Sequence, residues 1–94
     1  MKLVQPTDFD ILSVLADGRR NTAANIAYHI DKNRAYINTR LPVLADYGLI
    51  HRVGPAPDSG LYEITARGEA AVEHRDVYGE VDDFVAVIDE TVNA

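Results

Sequence analysis

Apolar residues along the chain fall into separate rhythms, and each rhythm predicts an element. Phe9, Leu12, Leu15 and Ala16 recur at helical spacing, with Ile11 at the edge of the stripe. Thr7 and Asp10 around the start read as a capping box, and Asp17-Gly18 as the stop. A second helix opens at Thr22 and buries Ala23, Ile26, Ala27 and Ile30, which leaves Asn25, Tyr28 and His29 outward. After Asp31-Lys32-Asn33, with Asn33 as a cap, a third helix turns Ile37, Leu41, Leu44 and Gly48 inward. The period then changes. Residues 49–53 read as a strand, 54–60 as a Gly- and Pro-rich loop, and 61–64 as a strand with alternation of two. Thr65 caps a further helix through Tyr78, along which Ala66, Ala70 and Val77 line up. Past Gly79 a last helix gathers Val81, Phe84, Val85, Ile88 and Val92 on one side.

This order predicts a mainly α fold with a small β-hairpin: a winged helix-turn-helix (α-α-α-β-β wing) followed by C-terminal helices. Two units are expected, residues 1–78 as the winged domain and 79–94 as an amphipathic helix for dimerisation. Ninety-four residues leave little room for a second core. Cysteine is absent and no apolar run approaches ~18 residues, so a soluble, cytoplasmic protein without disulfides or membrane spans is expected.

Charge changes the picture in one respect. The net charge of −6 looks wrong for a polyanion binder. Its distribution is uneven, however. Residues 19–52 carry Arg19, Arg20, Lys32, Arg34, Arg40 and Arg52 against Asp31 and Asp46, a balance of +4, whereas residues 69–94 carry eight acids against Arg75. The basic third is the helix-turn-helix. Two lysines, seven arginines and fifteen acids also match the acidic surfaces that keep proteins soluble in molar salt, so either a haloarchaeal protein or an ordinary acidic mesophilic domain is expected.

The sequence Tyr47-Gly48-Leu49-Ile50 after the third helix, and Tyr62-Glu63-Ile64-Thr65-Ala66-Arg67-Gly68 after the hairpin, resemble archaeal winged-helix transcription regulators. The likeness is to the haloarchaeal phage phi-H repressor type and, more loosely, to the MarR superfamily, and it spans about residues 8–70. It implies a DNA-binding repressor. The chain departs from the pattern in two places: the turn lacks the usual Gly-plus-apolar pair, and the third helix contains Pro42.

If Ile37, Leu41 and Leu44 face the core, the opposite stripe is Ala35, Thr39, Pro42 and Asp46, flanked by Tyr36 and Asn38, with Arg34 and Arg40 on the shoulders. A helix ~10–12 Å across fits the ~12 Å major groove, so residues 33–41, opened by Asn33, are the segment expected to enter it. Asn pairs with adenine, Arg with guanine, and Ala or a Thr methyl with the thymine methyl. Pro42 removes a helical hydrogen bond and is expected either to kink the helix or to end it. Thr22, Tyr28 and Lys32 are placed for phosphates, and Arg52 and Ser59 for a flanking minor groove, although Asp58 argues against deep insertion. Arg19 and Arg20 suit phosphates or solvent equally. Six basic residues suit a protein that binds in high salt, where ionic contacts to phosphate weaken steeply.

Two half-sites need two copies, which assigns Val81, Phe84, Val85, Ile88 and Val92 to a homodimer interface; the alternative is that this helix folds back on its own domain. His29, His51 and His74 show no metal-ligand spacing, and no nucleophile or nucleotide motif is present, so neither cofactor nor enzyme activity is expected. The rival reading is a winged helix used for protein contact in a larger assembly, without DNA binding.

Overall fold

The computed structural model describes residues 1–54 and 60–94, so Ser59 and Asp58 lie outside the described residues. Helix α1 spans Thr7–Leu15, strand β1 Asn21–Thr22, α2 Ala23–Ile30, α3 Arg34–Asp46, β2 Ile50–Val53, β3 Leu61–Ile64, α4 Ala66–Glu73 and α5 Phe84–Val92. A 3-10 turn at Arg75–Val77 connects α4 towards α5.

Local chemistry sets most of these boundaries. Thr22 Oγ1 accepts from the Asn25 N–H at 3.2 Å and opens α2, while Asn33 Oδ1 accepts from the Ala35 and Tyr36 N–H groups at 2.8 and 3.3 Å and opens α3. Thr65 Oγ1 does the same for α4 through the Gly68 N–H. Short oxygen-bearing side chains satisfy the N–H groups that a helix start leaves unpaired. Between α2 and α3, Asp31 adopts the left-handed conformation at φ 55° and ψ 51°. Asp tolerates that region better than most non-glycine residues, which explains how the turn forms without a glycine.

The start of α1 corrects the capping-box expectation. Pro6 occupies the cap position without a side-chain bond, and Thr7 and Asp8 lie buried inside the first turn. Pro42 does not end α3, which runs through it to Asp46. Helix α4 is also shorter than its pattern predicts. It stops at Glu73, and Gly68, Ala70 and Ala71 form its inner face rather than Ala66 and Val77. Gly68 is required by packing: a Cβ there would stand 2.1 Å from the Leu49 carbonyl oxygen and 2.6 Å from Ile64 Cγ1.

The three strands form an antiparallel sheet in the order β1-β3-β2, with Ile50 opposite Ile64, Arg52 opposite Tyr62, and Asn21 also opposite Tyr62. β1 adds to the expected hairpin a strand of two residues, too short for a sequence period. Helices α1, α2 and α3 pack Phe9, Leu12, Leu15, Ile26, Ile37, Leu41 and Leu44 into one core with Ile50 and Ile64.

That core continues past residue 78 into α5. Phe84 and Ile88, at 5% and 0% exposure, belong to it. Phe9, Tyr78 and Phe84 meet edge to face, with ring centroids 5.0 to 6.0 Å apart. Arg67 pairs with Asp89, and the Thr91 hydroxyl lies 2.9 Å from His74 Nε2. The proposed interface stripe is thereby divided. Phe84 and Ile88 are used inside the chain, and Val81, Val85 and Val92 remain partly or largely exposed. A thin core gains more from a fold-back helix than from one left free, because small domains bury a small share of their surface.

Candidate nucleic-acid interface

Helix α3 has two unlike sides. Ile37, Leu41 and Leu44 are fully buried, while Arg34, Ala35, Tyr36, Asn38, Thr39 and Pro42 are exposed. Both the buried stripe and the outward stripe match the sequence expectation. Among the described residues Arg34 and Lys32 make no ion pair, so their charges face solvent. Thr39 Oγ1 donates to the Tyr36 carbonyl at 2.6 Å, which fixes its rotamer within the helix. The Asn33 side-chain oxygen is occupied as the α3 cap and is therefore a structural acceptor first.

The first turn of α2, the N-terminal half of α3 and the base of the hairpin enclose a cleft of ≈ 310 Å³ lined by Thr22, Ala23, Ala24, Arg34, Asn38, Arg52, Gly60 and Tyr62. Four residues chosen from sequence, Thr22, Arg34, Asn38 and Arg52, thus meet in one place. Arg52 reaches it from the sheet. Its guanidinium donates to the Tyr62 hydroxyl at 2.9 Å and lies over the Tyr62 ring at 5.5 Å from the centroid. Sequence reasoning took Tyr62 only as a strand residue. The cross-strand register that pairs it with Arg52 is the signal that would have found it. Ala24, exposed beside Thr22, was also missed.

Tyr28, at 86% exposure, and Lys32 do not line that cleft. Tyr28 stacks edge to face with His29, at 6.3 Å between centroids.

Arg40 is drawn towards α1 and does not stand free on the shoulder of α3. Its Nε and one terminal nitrogen donate to the two oxygens of Asp8 at 3.0 and 2.8 Å, and its side chain is 17% exposed against 0% for Asp8. The Asp8 hydrogen bond holds the guanidinium above its ordinary value against the opposing cost of burial. A side chain held in this way is committed to a contact within the chain. Arg19 pairs with Asp17, and Arg20 with Glu63, which His51 also approaches at 2.6 Å. The Arg20 bond, followed by that from His51, lowers the Glu63 carboxyl below its usual range. Three of the six cations counted between residues 19 and 52 are thus answered by acids from outside that span. The positive face is narrower than the linear count implied: Arg34 and Lys32 make no ion pair among the described residues, and Arg52 is engaged with Tyr62.

Among the described residues no cluster of three or more His, Asp or Glu could hold a metal ion, and no helix is long and apolar enough to cross a membrane.

Three helices with a capped turn, a hairpin beside the third helix and a polar outward face define the winged helix-turn-helix class of DNA-binding regulators. The winged helix-turn-helix phage repressor family model matches residues 1–83, and the chain belongs to that family. The solved structure of a Lactococcus lactis ZitR mutant shares the fold with a TM-score of 0.62 at 21% identity, covering 99% of this chain and 73% of that one. No curated protein matches the chain.

Proposed function

We propose that the protein is a sequence-specific regulator of transcription, acting as a repressor, that inserts the segment 33–41 of α3 into the major groove of double-stranded DNA. One observation carries this reading: a single helix buries Ile37, Leu41 and Leu44 completely and turns Arg34, Ala35, Asn38 and Thr39 to solvent. Arg34 offers a fork to guanine, Asn38 a bidentate pair to adenine, and Ala35 and Thr39 apolar contact to thymine. Thr22 and Lys32 contact phosphates and set the register, and Arg52 supports the same strand from the hairpin base. The acidic remainder fits solubility in molar salt, where shape and hydrogen bonds matter more than ion pairs. Two half-sites require two copies of the chain, and Val81 ahead of α5, with Val85 and Val92 on it, are the apolar residues left for that contact.

A second reading, a winged helix that docks protein rather than DNA, draws on the compensation of Arg19, Arg20 and Arg40. The test is selection from a random duplex pool followed by fluorescence titration in high KCl. Enrichment of one sequence, lost about tenfold in Asn38→Ala while the fold is kept, supports the regulator. Failure to enrich any duplex, with a protein partner bound through the α3 face, favours the second reading.

A further inference from the structure

The Asp8–Arg40 pair sits where α3 is weakest. Pro42 has no N–H, so the carbonyl of Asn38 loses its helical partner between the groove-facing turn and the rest of the helix. Arg40 lies within that gap, one residue beyond Thr39. Its fork meets both oxygens of Asp8, and Asp8 is itself fixed by the Val4 N–H at 2.7 Å. The other end of α3 is tied as well, since the Tyr47 hydroxyl accepts from the Lys2 N–H at 3.1 Å.

Apolar contacts at Ile37, Leu41 and Leu44 hold the helix down but are non-directional, so they do not by themselves fix its roll to within a few degrees. A bidentate arginine–carboxylate pair is directional. With side-chain tips roughly 5–6 Å from the helix axis, a roll of about 20° moves them by about 2 Å, enough to break a hydrogen bond to a base.

From this geometry we infer that Asp8 and Arg40 are positioning residues that set the roll of α3, so that Arg34, Asn38 and Thr39 meet base edges in register. Neither residue touches DNA. The inference rests on the DNA-binding reading above and assigns a specificity role to a pair of which the sequence had placed only Arg40 beside the groove.

The test compares binding to a duplex that the wild-type protein selects from a random pool with binding to a scrambled duplex of equal length. It uses Asp8→Asn and Arg40→Lys proteins shown to be folded by circular dichroism. The expected result is a loss of about tenfold on the selected duplex in each variant, with the scrambled duplex changed by less than about twofold because phosphate contacts carry no sequence information. A merely structural pair predicts equal changes on both duplexes. An arginine that contacts DNA predicts that Asp8→Asn, which removes an acid and frees Arg40, binds as well as wild type or better. Either result overturns the inference while leaving the DNA reading intact. If wild type selects no duplex, the DNA reading falls and the inference with it. Should Asp8→Asn not fold, Asp8→Glu keeps the charge on a longer arm and is read in the same way. Pro42→Ala restores the backbone donor, so in that background Arg40→Lys should lose less selectivity than in wild type.

Discussion

Arginines on the two sides of this molecule have opposite fates. At the base, where α1, α4 and α5 meet, Arg75 donates to Asp10 at 2.9 Å while lying over the Phe9 ring, and Arg67 pairs with Asp89. On α3, Arg34 has no acidic partner among the described residues, yet Arg40, about 1.7 turns further along, is drawn into the Asp8 pair. The difference lies in whether another element brings a carboxylate within about 3 Å, a matter of folding rather than composition. A cation answered inside the chain holds elements together; one left unanswered is available to a polyanion. Charge along a sequence therefore overstates an interface until the pairs are known.

The sharpest way to break the base is Phe9→Ala. It removes a fully buried ring from the aromatic cluster with Tyr78 and Phe84, and should cost about 4 kcal/mol in denaturant unfolding. Next, Arg40→Ala should cost about 3 kcal/mol, because it strands a buried carboxylate whose remaining donor is the Val4 N–H. On the same helix Arg34→Ala reverses the pattern. Stability should shift by less than about 0.5 kcal/mol, whereas affinity for DNA falls and the slope of log affinity against log salt decreases by about one. Equal effects of Arg34→Ala and Arg40→Ala on stability would erase the distinction drawn here.

The smallest effect concerns pH at the hairpin. Glu63 is lowered by Arg20 and then by His51, so its contribution is complete above the ordinary carboxylate value of 4.5 and is lost as pH falls through the lower folded value. Melting temperature should therefore drop less below about pH 4.5 in Glu63→Gln than in wild type.

What the sequence made legible was what neighbours decide. Thr22, Asn33 and Thr65 bond to N–H groups two or three positions away, and the inward stripe of α3 follows from helical spacing alone. The pairing of Arg40 was not legible because its partner stands 32 residues earlier. A clue existed: Asp8 shares a helical face with Ile11, Leu12 and Leu15, and a carboxylate on an apolar stripe needs a cation. The fate of α5 was not legible, since an amphipathic stripe suits its own core and a second copy equally well. Of the proposed cleft, the α2 and α3 residues were found from periodicity, whereas the Arg52–Tyr62 pairing depends on strand register across the hairpin.

The central claim is that polyanion binding belongs to the α2–α3–hairpin face and not to the α1–α4–α5 base. Amide chemical shifts of the labelled protein, followed as a selected DNA duplex is added, test it directly. The account predicts large shifts at Thr22, Ala24, Arg34, Asn38, Thr39 and Arg52, with Phe84 to Val92 nearly unmoved. Shifts concentrated on α4 and α5, with residues 34–39 silent, would contradict it.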